Sequence, residues 1–321
     1  MAPDAVLLLA YGGPTRAGEI RPFLDNVLRG KQVPRERYEE VVRHYEEVGG
    51  CSPINRLTGE MADRLRDHLR SDGPALPVYV GMRLWPPLIP ETLAAMARDR
   101  RRRAVGLVLA PHPCQASWNS YLEAVEGARR DLGPQAPAVD YPPFWYEHPL
   151  FIEALAERAG ETLAALPAGR RAKAAILFTA HSIPIAMSEA SGYAASVAAT
   201  ARLVTGRLGA APSGSVAPSS CSVAWQSRSG PPAQPWLEPD ILDALRAARS
   251  AGVSDVVVLP IGFVSDHVEV LYDLDIAARR EAAGLGLGFA RARTVGDHPA
   301  FVRMLAGLAR GAPAAVGDHH R

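Results

Sequence analysis

Two short stretches carry side chains whose types and spacing could do chemistry. In "FTAHSIP", residues 178–184, the preceding apolar run "AKAAILF" reads as a short buried strand, and Pro184 cannot continue a ladder. His181 therefore sits at a strand exit. Open α/β sheets hold ligands outside the carboxyl ends of their strands, and an imidazole placed there can accept a proton near neutral pH or ligate a metal. The alternative is a buried histidine satisfied by a backbone carbonyl.

The second stretch is "PIGFVSDHVEVLYDLD", residues 260–275, where a strand runs out and acidic residues begin to recur. Glu269 and Asp273 are four apart, so a helix would turn both carboxylates the same way. Two anions on one face raise each other's pKa, and they can hold a hydrated cation or pass protons along a row. His267, two residues before Glu269, would point elsewhere on such a helix. The alternative is a solvated acidic helix start, favoured by the helix dipole.

The elements that must position these groups alternate. Strand-like runs recur at 5–10, 78–82, 104–110, 174–180, 221–225 and 255–261. Helical segments fall at 35–47, 57–70, 91–99, 119–131, 149–165, 189–208, 238–251 and 298–310. Such alternation predicts an α/β protein with parallel sheets flanked by helices. A chain of 321 residues exceeds the usual size of one core, so two lobes of roughly 150 residues are expected. The boundaries are set at 1–145 and 146–297, with "VDYPPFWYEHP" as the passage between lobes. Residues 298–321 form a C-terminal helix expected to pack back on the N-terminal lobe, followed by a frayed tail in which His319 and His320 are solvent-exposed. "VGLVLAPHP" and "VVVLPIGF" echo one another as strands with proline-marked exits, and "GAAPSGSVAPSS" reads as a surface loop.

Composition excludes several classes. Lys plus Arg at 35 nearly cancels Asp plus Glu at 34, and a net charge of +1 gives no field for nucleic acid. The run Arg98 to Arg103 reads as a solvated helix end. Hydrophobic residues make up 48% of the chain, yet no apolar run approaches the ~20 residues of a spanning helix, so any membrane contact is expected to be peripheral. Cys51, Cys114 and Cys221 lie far apart, which argues against a zinc site or a four-thiolate iron–sulfur cluster. Their odd number, without a signal peptide, suggests the cytoplasm. "AYGGP" lacks the full phosphate-binding glycine pattern and its lysine, and no GxSxG elbow surrounds Ser182.

Taken together, the motifs resemble the ferrochelatase family. "LLLAYGGP", "EEVGGCSPINRLT" (46–58), "VLAPH" (108–112), "FTAHSIP", "VAWQSRSGPPAQPWLEPD" and "PIGFVSDHVEVLYDLD" follow in the family's order and approximate spacing over nearly the whole chain. The resemblance implies two Rossmann-like, chelatase-like lobes enclosing a cleft that takes a planar tetrapyrrole and inserts Fe(II), late in haem synthesis. It implies His181 and Glu269 as the catalytic pair and as metal ligands, with Asp273 as an outer metal site. It makes Tyr11 a residue over the macrocycle and an axial ligand of the metallated product, and Arg29, Tyr45, Ser52 and Tyr121 residues that line the porphyrin pocket or hold propionates.

The chain departs from the short bacterial members at Leu28, where a second arginine is common, and at Ala277, where a further acid often stands. The short segment "TRAGEIRPFLDNVLRGKQVP", with Arg16, Arg21, Arg29 and Lys31, leans toward coproporphyrin III over protoporphyrin IX. The expected partners are a porphyrin and ferrous iron, with no resident cofactor, no nucleic acid and a monomeric state. The other readings are a non-catalytic tetrapyrrole or haem carrier and a chelatase for another metal or macrocycle.

Overall fold

The computed structural model describes residues 2–311 except 74, 172, 210–218, 231 and 232. The loop expected at 209–220 and the tail with His319 and His320 therefore lie largely or wholly outside the described residues. Eight strands form two four-stranded parallel sheets among the described residues. The first contains β1 (Ala5–Ala10), β2 (Val78–Met82), β3 (Arg103–Val108) and β4 (Ala138–Asp140) in the order β2-β1-β3-β4. The second contains β5 (Ala174–His181), β6 (Ser220–Gln226), β7 (Asp255–Pro260) and β8 (Gly288–Arg291) in the order β6-β5-β7-β8. The two orders are the same. The echoing segments around 105 and 256 are β3 and β7, which occupy equivalent places.

Buried strands of this sort need apolar side chains on both faces. In β1, Val6 and Leu8 face one cluster while Ala5, Leu7 and Leu9 face another. In β5, Ile176, Phe178 and Ala180 face the first cluster, and Ala175 and Leu177 a third. Each sheet thus has one face on a core private to its lobe and one face on a core common to both. Helices Ile54–Ser71, Pro149–Ala164, Tyr193–Gly209 and Pro299–Ala309 fill the common core. Trp145, Phe151 and Phe301, all fully buried, pack near its centre, with Trp145 edge-on to Phe151 at 5.0 Å and to Phe301 at 5.7 Å. Pro299–Ala309 packs against Ile54–Ser71 of one lobe and Pro149–Ala164 of the other.

Several elements differ from expectation. The helix expected over 189–208 is two, Ile185–Ser191 and Tyr193–Gly209, because Gly192 adopts a left-handed φ of 71° between them. The helix expected from 238 starts at Ile241, where the Asp240 side chain accepts from Leu242 N at 2.8 Å. The helix Ile20–Val27 was not expected, and neither were β4 and β8, which are short edge strands with little fully buried surface. The segment after β7 is helical only from Val268, and Leu271–Ala278 is a π-helix.

A common core predicts cooperative unfolding. Phe301→Ala is expected to cost about 3 to 5 kcal/mol, lowering the urea midpoint while tryptophan fluorescence still reports one transition. Two resolved transitions would show that the lobes are energetically separate.

Candidate active site

The carboxyl ends of both sheets open on one cavity of about 780 Å³, within the range of small-molecule sites. Its walls are the exits of β1 (Tyr11), β2 (Arg83), β3 (His112), β5 (His181), β6 (Ser227) and β7 (Phe263). Gly12 makes one of these exits feasible. It has φ +83°, and a Cβ there would lie 3.0 Å from Trp85 N, so the glycine in "AYGGP" serves close packing of two strand exits.

His181 ends β5, paired in register with Gln226 of β6. Its Nδ1 donates to the Ser182 carbonyl, and its Nε2 faces Glu269 Oε1, 3.8 Å away. The Tyr193 hydroxyl donates to the His181 carbonyl at 3.1 Å and fixes the backbone. One nitrogen is satisfied by a backbone carbonyl, as the alternative reading of this histidine had it, and the other faces the Glu269 carboxylate.

Glu269 is bracketed by two imidazoles. His267 Nε2 lies 3.3 Å from Oε2, so the expectation that His267 points elsewhere is corrected. The reason is local: His267 is the residue before the helix, with extended φ −153° and ψ −179°, and its ring folds back against Phe263 and Glu269. Burial raises the Glu269 carboxyl, but His181, the His267 hydrogen bond and Arg37 outweigh it and bring the pKa down to about 2. The group is a carboxylate at neutral pH.

Asp273 lines the same cavity, as the four-residue spacing predicts. The segment is pinned from β6: Gln226 Nε2 donates to the Glu269 carbonyl at 3.1 Å, and the Ser227 hydroxyl donates to Asp273 Oδ2. Ser227 holds a left-handed φ of 63°, rare for a residue with a side chain. Burial and then the Glu269 anion raise Asp273 to about 6, against the Ser227 hydrogen bond.

Tyr11, Tyr45, Ser52 and Tyr121 all line the cavity. Burial, then the Glu269 anion, push the Tyr11 phenol up to about 12, partly opposed by Arg83. Arg83 stands over the Tyr11 and Tyr121 rings at 5.1 and 5.5 Å. Sequence reasoning missed Arg83, although its place directly after a buried strand is the signal that singled out His181. His112 was noted only as part of a motif. It is buried, its Nδ1 lies 3.1 Å from Ser196 Oγ, and burial drops its pKa to about 3.

Arg29 is not brought to the cavity. The helix Ile20–Val27 ends just before Leu28, which lines the wall, and Arg29 turns outward to donate to Asn26 Oδ1 at 2.7 Å. Arg16 and Arg21 pair with Glu19 and Glu39, each at 2.8 Å. The cations that do line the cavity are Lys31, Arg37, Arg83 and Arg228. Among the described residues no three His, Cys, Asp or Glu side chains group closely enough to cage a metal.

The ferrochelatase family model matches residues 3–312. A protein of Nocardia farcinica named coproporphyrin III ferrochelatase is 44% identical over 318 residues, covering 97% of this chain and 88% of its own. A ferrochelatase of Rhodopirellula baltica is 41% identical, covering 95% of this chain and 85% of its own. SirB from Bacillus subtilis, solved with Fe3+, shares the fold with a TM-score of 0.56 at 11% identity, covering 96% of each chain.

The raised Asp273 carboxyl has a pH signature. Below its unfolded value of 3.8 both states hold the proton and nothing is lost. As pH rises toward about 6 the unfolded chain ionises first, so the folded state loses up to about 3 kcal/mol, less where cavity solvent screens the charge. Asp273→Asn keeps an acceptor for Ser227 and removes the charge. It is expected to raise Tm, relative to the parent, more at about pH 8 than at about pH 4; equal increments would place this carboxyl at its ordinary value.

Proposed function

The chain belongs to the ferrochelatase family, and on that premise we propose that it inserts Fe(II) into coproporphyrin III in haem biosynthesis, with His181 and Glu269 as the reacting pair. The observation that carries the assignment of roles is the His181–Glu269 pair, 3.8 Å apart at the wall of a cavity with room for a flat macrocycle. Metallation must remove two pyrrolic protons and strip water from the ferrous ion. The His181 Nε2 lone pair suits the first task. Glu269, a carboxylate at neutral pH, suits the second, and it stabilises the imidazolium that forms when His181 takes a proton.

The mostly apolar and aromatic walls, which include Tyr11, Tyr45 and Tyr121, suit the ring of a tetrapyrrole, and Lys31, Arg37, Arg83 and Arg228 suit its propionates. Tyr11, a neutral phenol at pH 7, is our candidate for a ligand of the metallated product. Asp273, pinned by Ser227, is the outer site where hydrated iron waits or protons leave. We take the protein to act in the cytoplasm as a monomer, with at most peripheral membrane contact and no resident cluster. All three thiols are free, and a four-thiolate cluster needs one more. Sedimentation at micromolar concentration and iron and sulfide analysis check these points.

His181→Ala is expected to abolish anaerobic Fe(II) insertion, read by collapse of the porphyrin Q bands, while porphyrin affinity stays within a few-fold. Equal loss of affinity would make His181 structural. Glu269→Gln is expected to cut turnover sharply, since the amide is nearly isosteric but carries no charge. Coproporphyrin III carries four propionates and protoporphyrin IX two, and one net charge-assisted contact favours the former in kcat/KM by about tenfold. A preference for protoporphyrin IX under the same detergent and salt overturns the substrate assignment alone.

A further inference from the structure

Glu269 and Asp273 hang from a segment with no strand to lie on. It leaves β7 at Pro260 and becomes helical at Val268, and from Leu271 to Ala278 the helix is π-helical. π-helical geometry is rare and mostly confined to single turns at functional sites. A stretch of eight residues therefore needs support from outside. Gln226 and Ser227 supply it from β6, one edge of the sheet.

The opposite edge supplies the rest through the last residue of β8. Arg291 Nε and Nη2 donate to the two oxygens of Asp275, both at 2.8 Å. Its Nη1 and Nη2 donate to the two oxygens of Asp266 at 3.1 and 3.0 Å. The Arg291 side chain is 11% exposed, and those of Asp266 and Asp275 are 24% and 26% exposed. Asp266 directly precedes His267, and Asp275 follows Asp273 by two residues. His267, Glu269, Tyr272 and Asp273, all lying between these anchors, line the cavity, whereas Arg291 does not.

We propose that Arg291 is a positioning residue for metal insertion. By clamping both ends of segment 266–275 to the sheet edge, it sets where the Glu269 and Asp273 carboxylates stand toward incoming iron. Only a planar fork can bind two carboxylates in this manner, which a lysine cannot reproduce. The inference rests on the reading of Glu269 and Asp273 as the pair that handles iron.

Arg291→Gln alone strands Asp266, leaves Asp275 only Arg279 at 3.6 Å, and is expected to destabilise the fold. The deciding variant is therefore Arg291→Gln with Asp266→Asn and Asp275→Asn, which keeps the volumes and removes all three charges. Its Tm is expected to return close to the parent's, its porphyrin KM to stay within about twofold and its Fe(II) KM to rise about tenfold, as for other groups that orient metal ligands. Amide exchange should quicken over residues 266–278 and nowhere else. Arg291→Lys should show a smaller rise in Fe(II) KM. Parental exchange over this segment in the triple variant overturns the clamp. Faster exchange with a parental Fe(II) KM overturns the proposal through the reading of the acidic pair, so the two failures are distinct.

Discussion

A hydrophobic core shared by two sheets is the constraint on which the site depends. Val6, Leu8, Val105 and Leu107 of the first sheet and Ile176, Phe178, Val257 and Leu259 of the second bury their inner faces in one continuous cluster. Close-packed interiors deform little, so this shared core ties the two sheets to one another. The two walls of the cavity are consequently tied together, while His181 and Glu269, both on the second sheet's side, are set by β5 and by the contacts of Gln226, Ser227 and Arg291 with the segment that carries Glu269. Such preorganisation leaves less reorganisation to be done when the reacting groups change charge. A separate small cluster, Ile20, Phe23, Leu24, Val42 and Tyr45, covers the cavity from outside this core.

Within that frame, a buried carboxylate would ordinarily gain a proton. Glu269 stays ionised because imidazoles approach both of its oxygens, whereas Asp273, four residues on, has one hydroxyl donor and a neighbouring anion, and rises to about 6. Two carboxyls on one segment are thus driven apart by their partners. The pattern is that of acid–base sites in which environment, and not residue type, assigns the role.

The strand exits were legible because unbroken apolar runs such as "VLLLA" and "DVVVLP" mark buried parallel strands, and a polar residue at their end is conspicuous. His181 was found that way. Arg83 follows the same rule but ends a strand that includes Tyr79 and Gly81, and it drew no notice. His267 was misplaced because the helix was assumed to include it. A one-residue difference in where a helix starts reverses a side chain. The π-helix leaves no sequence signature, since its hydrogen-bond offset changes the register without changing the residues. Arg29 was expected at the wall, where Leu28 stands instead while Arg29 is held by Asn26; which of two neighbours after a helix end faces inward is not carried by spacing. β4 and β8, three and four residues long at sheet edges, are too short and too exposed for any periodicity to declare them.

Tyr11 follows β1 and His181 closes β5, and those strands hold the same place in two sheets of the same order. A repeated frame thus seats two chemically unlike groups at equivalent positions on the two walls of one slot. For a flat guest this amounts to a division of labour between its faces. The wall from the first sheet can be rewritten to suit a different rim or axial ligand while the second keeps its imidazole–carboxylate pair. On the proposed roles, the choice of macrocycle and the handling of the metal become largely separable traits in evolutionary terms.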